Sequence, residues 1–315
     1  MEGEFIKFGK NLVSKEELLS SGHRACQGCG LAITIRLALK ALGKDTICIT
    51  PASCWSGVGS VYPDVAWEVP WMQSLFENAS AVASGISAAH EILQEKGKMA
   101  PRKINTVVFA GDGATADIGM AALSGTLERG HDMVYICMDN EAYMNTGIQR
   151  SSATPYGAAT STTPVGRVTS GQQTQKKDVP AIVAAHNVPY VATACVSYPF
   201  DFMNKVKRAA EIKGPSYIHV YSVCPTGWRV AADFTVDLGK LAVETGVFPL
   251  YEVENGVYTL NVNPAKLKPV EEYLKPQGRF RHLKPEDIQE IQETVQKNWK
   301  VLKAKIEASK AMAAV

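Results

Sequence analysis

Two apolar stretches decide the fold: Thr106-Val107-Val108-Phe109-Ala110-Gly111-Asp112-Gly113, and Val134-Tyr135-Ile136-Cys137-Met138-Asp139-Asn140. Each is β-rich and ends in a carboxylate or an amide, with Asp112 and Asn140 standing 28 residues apart. Leu123 to Arg129 reads as a helix between them, so the unit is strand-helix-strand and its side-chain oxygens emerge at one edge of a parallel sheet. A hard cation such as Mg²⁺ chooses oxygens of this kind and is commonly shared between a protein carboxylate and substrate phosphates. Gly111 and Gly113 let the backbone approach a phosphate, and the helix that follows offers its N-terminal N–H groups. The opposing reading of Gly-Asp-Gly is a bare turn.

Outward from this unit, Cys26-Gln27-Gly28-Cys29-Gly30 opens a helical stretch, Leu31 to Leu42, that stops at Gly43. Thr46 to Thr50 reads as the first strand and Phe76 to Gln94 as a long helix whose Ala and Ser residues permit close packing on a sheet. After Asn140, residues 145–177 form a long polar loop dense in Thr, Ser, Gly and Gln, which fits a lid or a subunit-docking surface. Alternation resumes with helix Pro180 to Ala185, strand Val188 to Cys195, helix Phe200 to Ile212 and strand Ser216 to Tyr221. The expected class is α/β, a doubly wound and mostly parallel sheet covered on both faces. Residues 1–228 form the expected core domain, and residues 229–315 an extension that packs on the core or on a partner. That extension contains a hairpin signal, Asn255-Gly256 within Leu250 to Leu260, and an amphipathic helix from Pro285 to Ala314. A solvated terminal helix is the alternative for the last of these.

The chain has 315 residues, 46% of them hydrophobic, enough for a substantial core and an enzyme subunit. Thirty-three basic against 31 acidic residues leave a formal charge of +2, and no basic cluster is interleaved with aromatics, which points away from nucleic acid. No apolar run reaches the roughly 18 to 20 residues that span a bilayer, and Met-Glu-Gly-Glu-Phe is neither a basic nor an apolar leader. The expectation is a cytoplasmic protein without membrane contact. Seven cysteines, an odd number, suit a reducing compartment rather than a disulfide framework.

Four cysteines have the setting of ligands. Cys26 and Cys29 form a glycine-bracketed Cys-x-x-Cys ahead of a helix, Cys54 follows the first strand, and Cys224 follows the last parallel strand in Val223-Cys224-Pro225-Thr226-Gly227. Helix N-termini stabilise thiolates, and the strand ends lie on the side where Asp112 and Asn140 emerge. Four thiolates gathered there would hold an iron-sulfur cluster or zinc, while an isolated Cys-x-x-Cys is also a redox dithiol. Spacing alone does not choose the metal, so a zinc-bound structural subunit stays open. Cys48, Cys137 and Cys195 lie inside apolar strands and read as small hydrophobes.

The pattern from Gly111-Asp112-Gly113 to Asn140 resembles the signature of thiamine diphosphate enzymes. That resemblance implies Mg²⁺ held by Asp112, Asn140 and the carbonyl of Ala142 against the cofactor's diphosphate. His23-Arg24-Ala25-Cys26-Gln27-Gly28-Cys29-Gly30, Phe76-Glu77-Asn78-Ala79, Asp117-Ile118-Gly119, Asp139-Asn140-Glu141-Ala142-Tyr143-Met144-Asn145-Thr146-Gly147 and Cys224-Pro225-Thr226-Gly227-Trp228 extend it. Together they resemble the β subunit of the pyruvate:ferredoxin oxidoreductase family over roughly residues 15 to 230. The resemblance implies thiamine diphosphate, Mg²⁺ and one 4Fe-4S cluster on Cys26, Cys29, Cys54 and Cys224. Gly111, Gly113, Asn145 and Thr146 are the expected further cofactor contacts. Trp55, Trp71 and Trp228 are candidates either for excluding solvent from the cluster or for plain core packing; His23 and Arg24 either hydrogen-bond near the site or serve the surface.

Two missing parts define the expected partners. No second α/β domain provides the Glu that activates the thiamine aminopyrimidine, and no ferredoxin-like Cys-x-x-Cys-x-x-Cys run is present. A thiamine-activating subunit and a ferredoxin-like cluster subunit must supply them, with external ferredoxin as acceptor. A thiamine enzyme without redox chemistry is a further reading, which leaves the four cysteines without a common purpose. Gly113-Ala114-Thr115-Ala116-Asp117 carries Ala116 where the family usually has an aromatic residue. Space gained there favours a small substrate with a second polar end, and oxalate, oxidised to CO₂ as in oxalate oxidoreductase, is the expected substrate. Pyruvate with coenzyme A, giving acetyl-CoA, is the alternative 2-oxoacid reading.

Overall fold

Every residue of Met133–Asp139 is buried, and so is all but the two ends of Asn105–Gly111, so both runs are central strands covered on either face. A computed structural model describes residues 7–313; the start of the chain, read as no leader, and position 314 lie outside the described residues. The elements follow as α1 (Gly30–Leu42), β1 (Thr46–Thr50), α2 (Cys54–Val58), β2 (Trp71–Gln73), α3 (Ala79–Glu95), β3 (Asn105–Gly111), α4 (Met120–Arg129) and β4 (Met133–Asp139). After the long loop come α5 (Val179–Ala184), β5 (Tyr190–Cys195), α6 (Pro199–Glu211), β6 (Pro215–Tyr221), α7 (Pro225–Trp228) and α8 (Thr235–Glu244). The chain closes with β7 (Tyr251–Glu254), β8 (Val257–Leu260), α9 (Val270–Leu274) and α10 (Pro285–Ala313).

The strands form one 8-stranded sheet in the order β2-β1-β3-β4-β6-β5-β7-β8, parallel from β2 to β5 and antiparallel over the last two. The alternation expected of a pleat divides the core in two. Val107, Phe109, Val134, Ile136 and Met138 face Leu31, Ile35 and Leu39 of α1 with Phe202 and Val206 of α6. Val108, Ala110, Met133, Tyr135 and Cys137 face Ala79 and Ala83 of α3, Leu123 and Leu127 of α4, and Val179 and Val183 of α5. Ser80, Ser84 and Ser87 are buried on α3 as well, and Ser87 donates to the Asp132 carbonyl at 2.9 Å, so small residues bring α3 close to the sheet without orphaning a hydroxyl. Cys48, Cys137 and Cys195 are fully buried.

The site depends on register. Gly111 pairs with Met138, and Asp139 with Tyr221, so β3, β4 and β6 reach their carboxyl ends at one rim, where open α/β sheets bind ligands. Beyond Trp228 the chain continues the sheet. Asn255 and Gly256 take positive φ of 49° and 83°, a tight hairpin turn that joins β7 to β8, and β7 pairs with β5. Leu302 and Ile306 of α10 pack into the same core as α3 and α4, while Trp228, Leu238, Phe248, Leu250 and Tyr273 form a third apolar cluster. The short elements β2, α2, α7, α8 and α9 are not apparent in the sequence pattern: three to five residues hold no periodicity, and α8 follows the chemically irregular Cys224 loop. No described helix is long and apolar enough to cross a membrane.

Truncation after Trp228 would open the β5 edge and strip the third cluster of Leu238, Phe248 and Leu250. Residues 1–228 expressed alone are expected to aggregate; a monodisperse product with the circular dichroism of the whole chain would show that the C-terminal segment is dispensable.

Candidate cofactor and cluster site

Gly111 ends β3, Asp112 follows, and Gly113–Asp117 winds as a π-helical turn before α4, a geometry often found at functional sites. Asp112 is 1% exposed, and its Oδ2 accepts the Ser151 hydroxyl at 2.5 Å. One terminal atom of the Asn140 amide lies 3.0 Å from Asp112 Oδ1 and 2.8 Å from the Ala142 carbonyl oxygen. Turned nitrogen-first, the amide donates to both. Turned oxygen-first, it lies at those two separations from the other oxygens, close to the edge of about 3.0 Å of an octahedron with Mg–O near 2.1 Å. Burial holds the Asp112 carboxyl well above the ordinary range and neighbouring Asp139 adds to this, with Ser151 and Lys176 opposing. A buried carboxyl in that state, beside an amide and a carbonyl, is a donor set that fits a hard cation. Glu141 takes φ 67° while its N–H donates to Asp139 Oδ1 at 2.9 Å, and that turn directs the Ala142 carbonyl back toward Asn140.

These residues wall a cavity of about 340 Å³. Gly111, Asp112, Gly113, Asn140, Ala142, Asn145 and Thr146 all line it, as do Cys54, Leu31, Phe76, Met138 and Tyr143. A side chain at Gly113 would run into the Tyr143 ring, whose hydroxyl donates to Asp117 Oδ2 at 2.8 Å. Ala116 does not line the cavity. It is 1% exposed and packs in the core shared by α3 and α4, so the expectation that it opens room beside the substrate is corrected. The π-helical turn rotates it away from the rim.

The four candidate cysteines sit at element starts. Cys29 is the N-cap of α1, Cys54 begins α2, and Cys224 caps α7 and accepts Gly227 N–H at 3.3 Å; the backbone of Ala32 and Leu31 eases the Cys29 thiol down against burial, and that of Asn145 eases Cys54. Gly30 N–H donates to the Val223 carbonyl at 3.0 Å, and a Cβ there would lie 2.8 Å from the backbone of Ser222 and Val223. This contact docks the Cys26–Cys29 loop on the strand that delivers Cys224. Burial pushes the Cys54 thiol up to about 12, and Cys224, Cys29 and Asp112 push the same way. Burial likewise raises Cys224 to about 11, reinforced by Cys29 and Cys26 and eased by the Gly227 N–H. Cys54 thus feels Cys224, Cys29 and Asp112, while Cys26 acts on Cys29 and Cys224. Among the described residues, no three His, Cys, Asp or Glu side chains close on a point that one ion would fill. Trp55 and Trp228 are fully buried beside these loops, Trp71 is half-buried with its N–H on Thr50 at 2.9 Å, and the His23 ring lies 5.4 Å from that of Trp55. Arg24 is exposed, with its backbone N–H on the Val58 carbonyl.

Behind Asn140 lies an ionic network that the sequence reading missed. Lys176 bridges Asp139 and, at 2.7 Å, Glu141; His219 Nε2 meets Asp139 Oδ2 at 2.8 Å; Arg279 meets Glu141 Oε2 at 2.5 Å. Burial works to raise Asp139, but Lys176 and His219 outweigh it and hold the carboxyl below its ordinary range. Burial works to lower His219, yet Cys137 and Asp139 lift it to about 10. Lys176 and Ser151 belong to the polar stretch 145–177, so that stretch folds back over its own site. No local signal in the sequence pairs Lys176 or Arg279 with Asp139 and Glu141, since these contacts span 35 and 138 positions.

The family of the thiamine pyrophosphate enzyme C-terminal TPP-binding domain matches residues 59–220. Pyruvate synthase subunit PorB of Methanocaldococcus jannaschii is 55% identical over 289 residues, covering 91% of this chain and 97% of that protein. Ketoisovalerate oxidoreductase subunit VorB of Pyrococcus furiosus is 51% identical over 290 residues, covering 91% and 93%. The 2-oxoglutarate:ferredoxin oxidoreductase structure from Magnetococcus marinus shares the fold, with a TM-score of 0.56 over 74% of this chain and 83% of that one at 22% identity. With a parallel sheet presenting Asp112 and Asn140 at one rim and relatives of this identity matching nearly end to end, the chain belongs to the β-subunit family of the pyruvate:ferredoxin oxidoreductases, thiamine pyrophosphate-binding subunits of multi-subunit enzymes.

Proposed function

We propose that this chain is the subunit of a pyruvate:ferredoxin oxidoreductase that binds thiamine diphosphate, Mg²⁺ and one 4Fe-4S cluster and forms acetyl-CoA with coenzyme A. The observation that carries the reading is that Cys54 and the Asp112–Asn140–Ala142 oxygens line one cavity. When bound, thiamine diphosphate supplies an electron sink for decarboxylation and the cluster takes electrons singly. Asp112, the Asn140 amide oxygen and the Ala142 carbonyl would hold Mg²⁺, and Gly111 and Gly113 leave room for the diphosphate. Asn145 and Thr146 stand on the same wall.

Cys26, Cys29, Cys54 and Cys224 would hold the cluster. Cysteines that act on one another at one rim suit a multi-iron cluster, with zinc as the other ion such a set would take. The Gly227 N–H points at the Cys224 sulfur, and the backbone of Leu31, Ala32 and Asn145 eases the Cys29 and Cys54 thiols toward their charged form. Trp55 and Trp228 exclude water beside them.

The substrate assignment rests on the wall chemistry. Leu31, Phe76, Ala114 and Met138 line the cavity, and no Arg or Lys does. A second carboxylate would lie unpaired there at considerable cost, whereas the methyl of pyruvate is at home. The oxalate reading thus loses its premise at Ala116 and finds no counter-charge on this chain's wall, and the 55% identity to a pyruvate synthase subunit points to pyruvate. A branched 2-oxoacid is the second reading, favoured by 51% identity to VorB. The activating Glu, a ferredoxin-like relay and external ferredoxin are assigned to other subunits and partners. We place the complex in the cytoplasm, since all seven cysteines are unpaired and reducing conditions keep them so.

The assembled complex is expected to be brown, with about four irons on this subunit, and to reduce a viologen dye with pyruvate plus coenzyme A far faster than with ketoisovalerate or oxalate. Zinc in place of iron would overturn the cluster, faster ketoisovalerate turnover would assign the branched acid, and turnover by this chain alone would overturn the partner requirement. Within the site, Gly113→Ala forces the Tyr143 ring off Asp117 and is expected to weaken thiamine diphosphate binding at least tenfold, about 1.4 kcal/mol, without altering circular dichroism. Calorimetric titration decides it, and Gly113→Ala/Tyr143→Ala is expected to recover part of the loss.

A further inference from the structure

Arg279 comes from the C-terminal segment, in the turn Gly278–Phe280, yet it is 3% exposed and lies between the two halves of the site. Its guanidinium stacks 3.9 Å above the Trp228 ring, on the cysteine-bearing loop. The same group meets Glu141 Oε2 at 2.5 Å, and Glu141 stands between Asn140 and Ala142. Gln277 Oε1 accepts from its Nε at 2.9 Å and the Tyr273 hydroxyl from its Nη2 at 3.2 Å, so three partners fix its plane. The Trp228 indole N–H in turn donates to the Asn140 carbonyl at 2.9 Å. The contacts close a ring: Asn140, Glu141, Arg279, Trp228 and back to Asn140. The two loops are thus tied twice, once directly and once through Arg279, and the charge of Arg279 is felt at Cys224.

Resting on the cofactor reading above, we infer that Arg279 is a positioning residue that locks the cation-holding loop 139–142 to the cysteine loop 224–228 and sets the reduction potential of the cluster between them. Two effects are separable. A fixed cation near the cluster favours the reduced, more negative state. The planar fork holds Glu141, and with it the Asn140 and Ala142 oxygens, in a geometry that a Lys point charge does not reproduce.

The test uses the assembled holo-complex, with EPR-monitored redox titration of this cluster and calorimetric thiamine diphosphate binding at fixed Mg²⁺. Arg279→Met is expected to lower the reduced-to-oxidised ratio about tenfold at the wild-type midpoint, about 59 mV for a one-electron couple, and to weaken thiamine diphosphate binding about tenfold. Arg279→Met/Glu141→Gln removes one charge of each sign; it is expected to bring the potential back toward wild type while binding stays weak, and it carries the test if the single variant, with Glu141 left unpaired, does not fold. Arg279→Lys should keep the potential and lose affinity, and takes over should both fail to fold. Folded variants with wild-type potential and affinity, changed only in melting temperature, would overturn the inference. A wild-type complex lacking the cluster signal or thiamine diphosphate binding would instead overturn the underlying cofactor reading.

Discussion

Two oxygens, Asp112 Oδ1 and the Ala142 carbonyl, sit 3.0 and 2.8 Å from one atom of the Asn140 amide at the end of β3 and β4. Buried acceptors brought this close need a donor or a cation between them. Much of the molecule can be understood as what holds this arrangement in place. The strand register brings Gly111 level with Met138, the tight turn at Glu141 folds Ala142 back, and Ser151 reaches from the long loop to Asp112. Without the parallel pairing of β3 with β4 the carboxylate and the amide would not share a rim.

The surrounding polar residues follow from that constraint. Asp112, Asp139 and Glu141 place three acids in a fully buried region, and Lys176, His219 and Arg279 bring the counter-charges. Each acid sits on or beside the rim where the chain leaves the sheet, and Asp139 additionally accepts the Glu141 N–H that shapes the turn, a bond an apolar replacement would lose. The network is therefore local in space but assembled from β4, β6, the polar loop and the C-terminal segment. Removing one partner of such a network leaves an uncompensated buried charge, which is far costlier than the pair is favourable.

Residue type and local order made the central features legible. The apolar runs to Asp112 and Asn140 have the composition of covered strands, and the strand Met133–Asp139 covers the run from Val134 up to Asp139. Cys-x-x-Cys ahead of a helix, and cysteines directly after strands, are short-range patterns of the same kind. Orientation was not legible where it depends on helical phase: the π-helical turn at Gly113–Asp117 turns Ala116 into the core, and a substrate argument built on that residue fell with it. Nor were the contacts of Lys176 and Arg279, because their partners lie in other elements and nothing near them in the chain marks them as buried. The hairpin at Asn255-Gly256 was legible as a turn, but its pairing with β5 is a tertiary fact.

The family match spans residues 59–220, which contain Asp112, Asn140 and Ala142 but none of Cys26, Cys29, Cys54 and Cys224. The general thiamine fold thus accounts for the oxygen site, and the sulfur site lies entirely in flanking sequence. Those flanks meet each other where Gly30 N–H donates to the Val223 carbonyl, and meet the common core where the Trp228 indole N–H donates to the Asn140 carbonyl. The two flanks fit together at one strand end because Gly30 lacks a Cβ, which would press on the backbone of Ser222 and Val223.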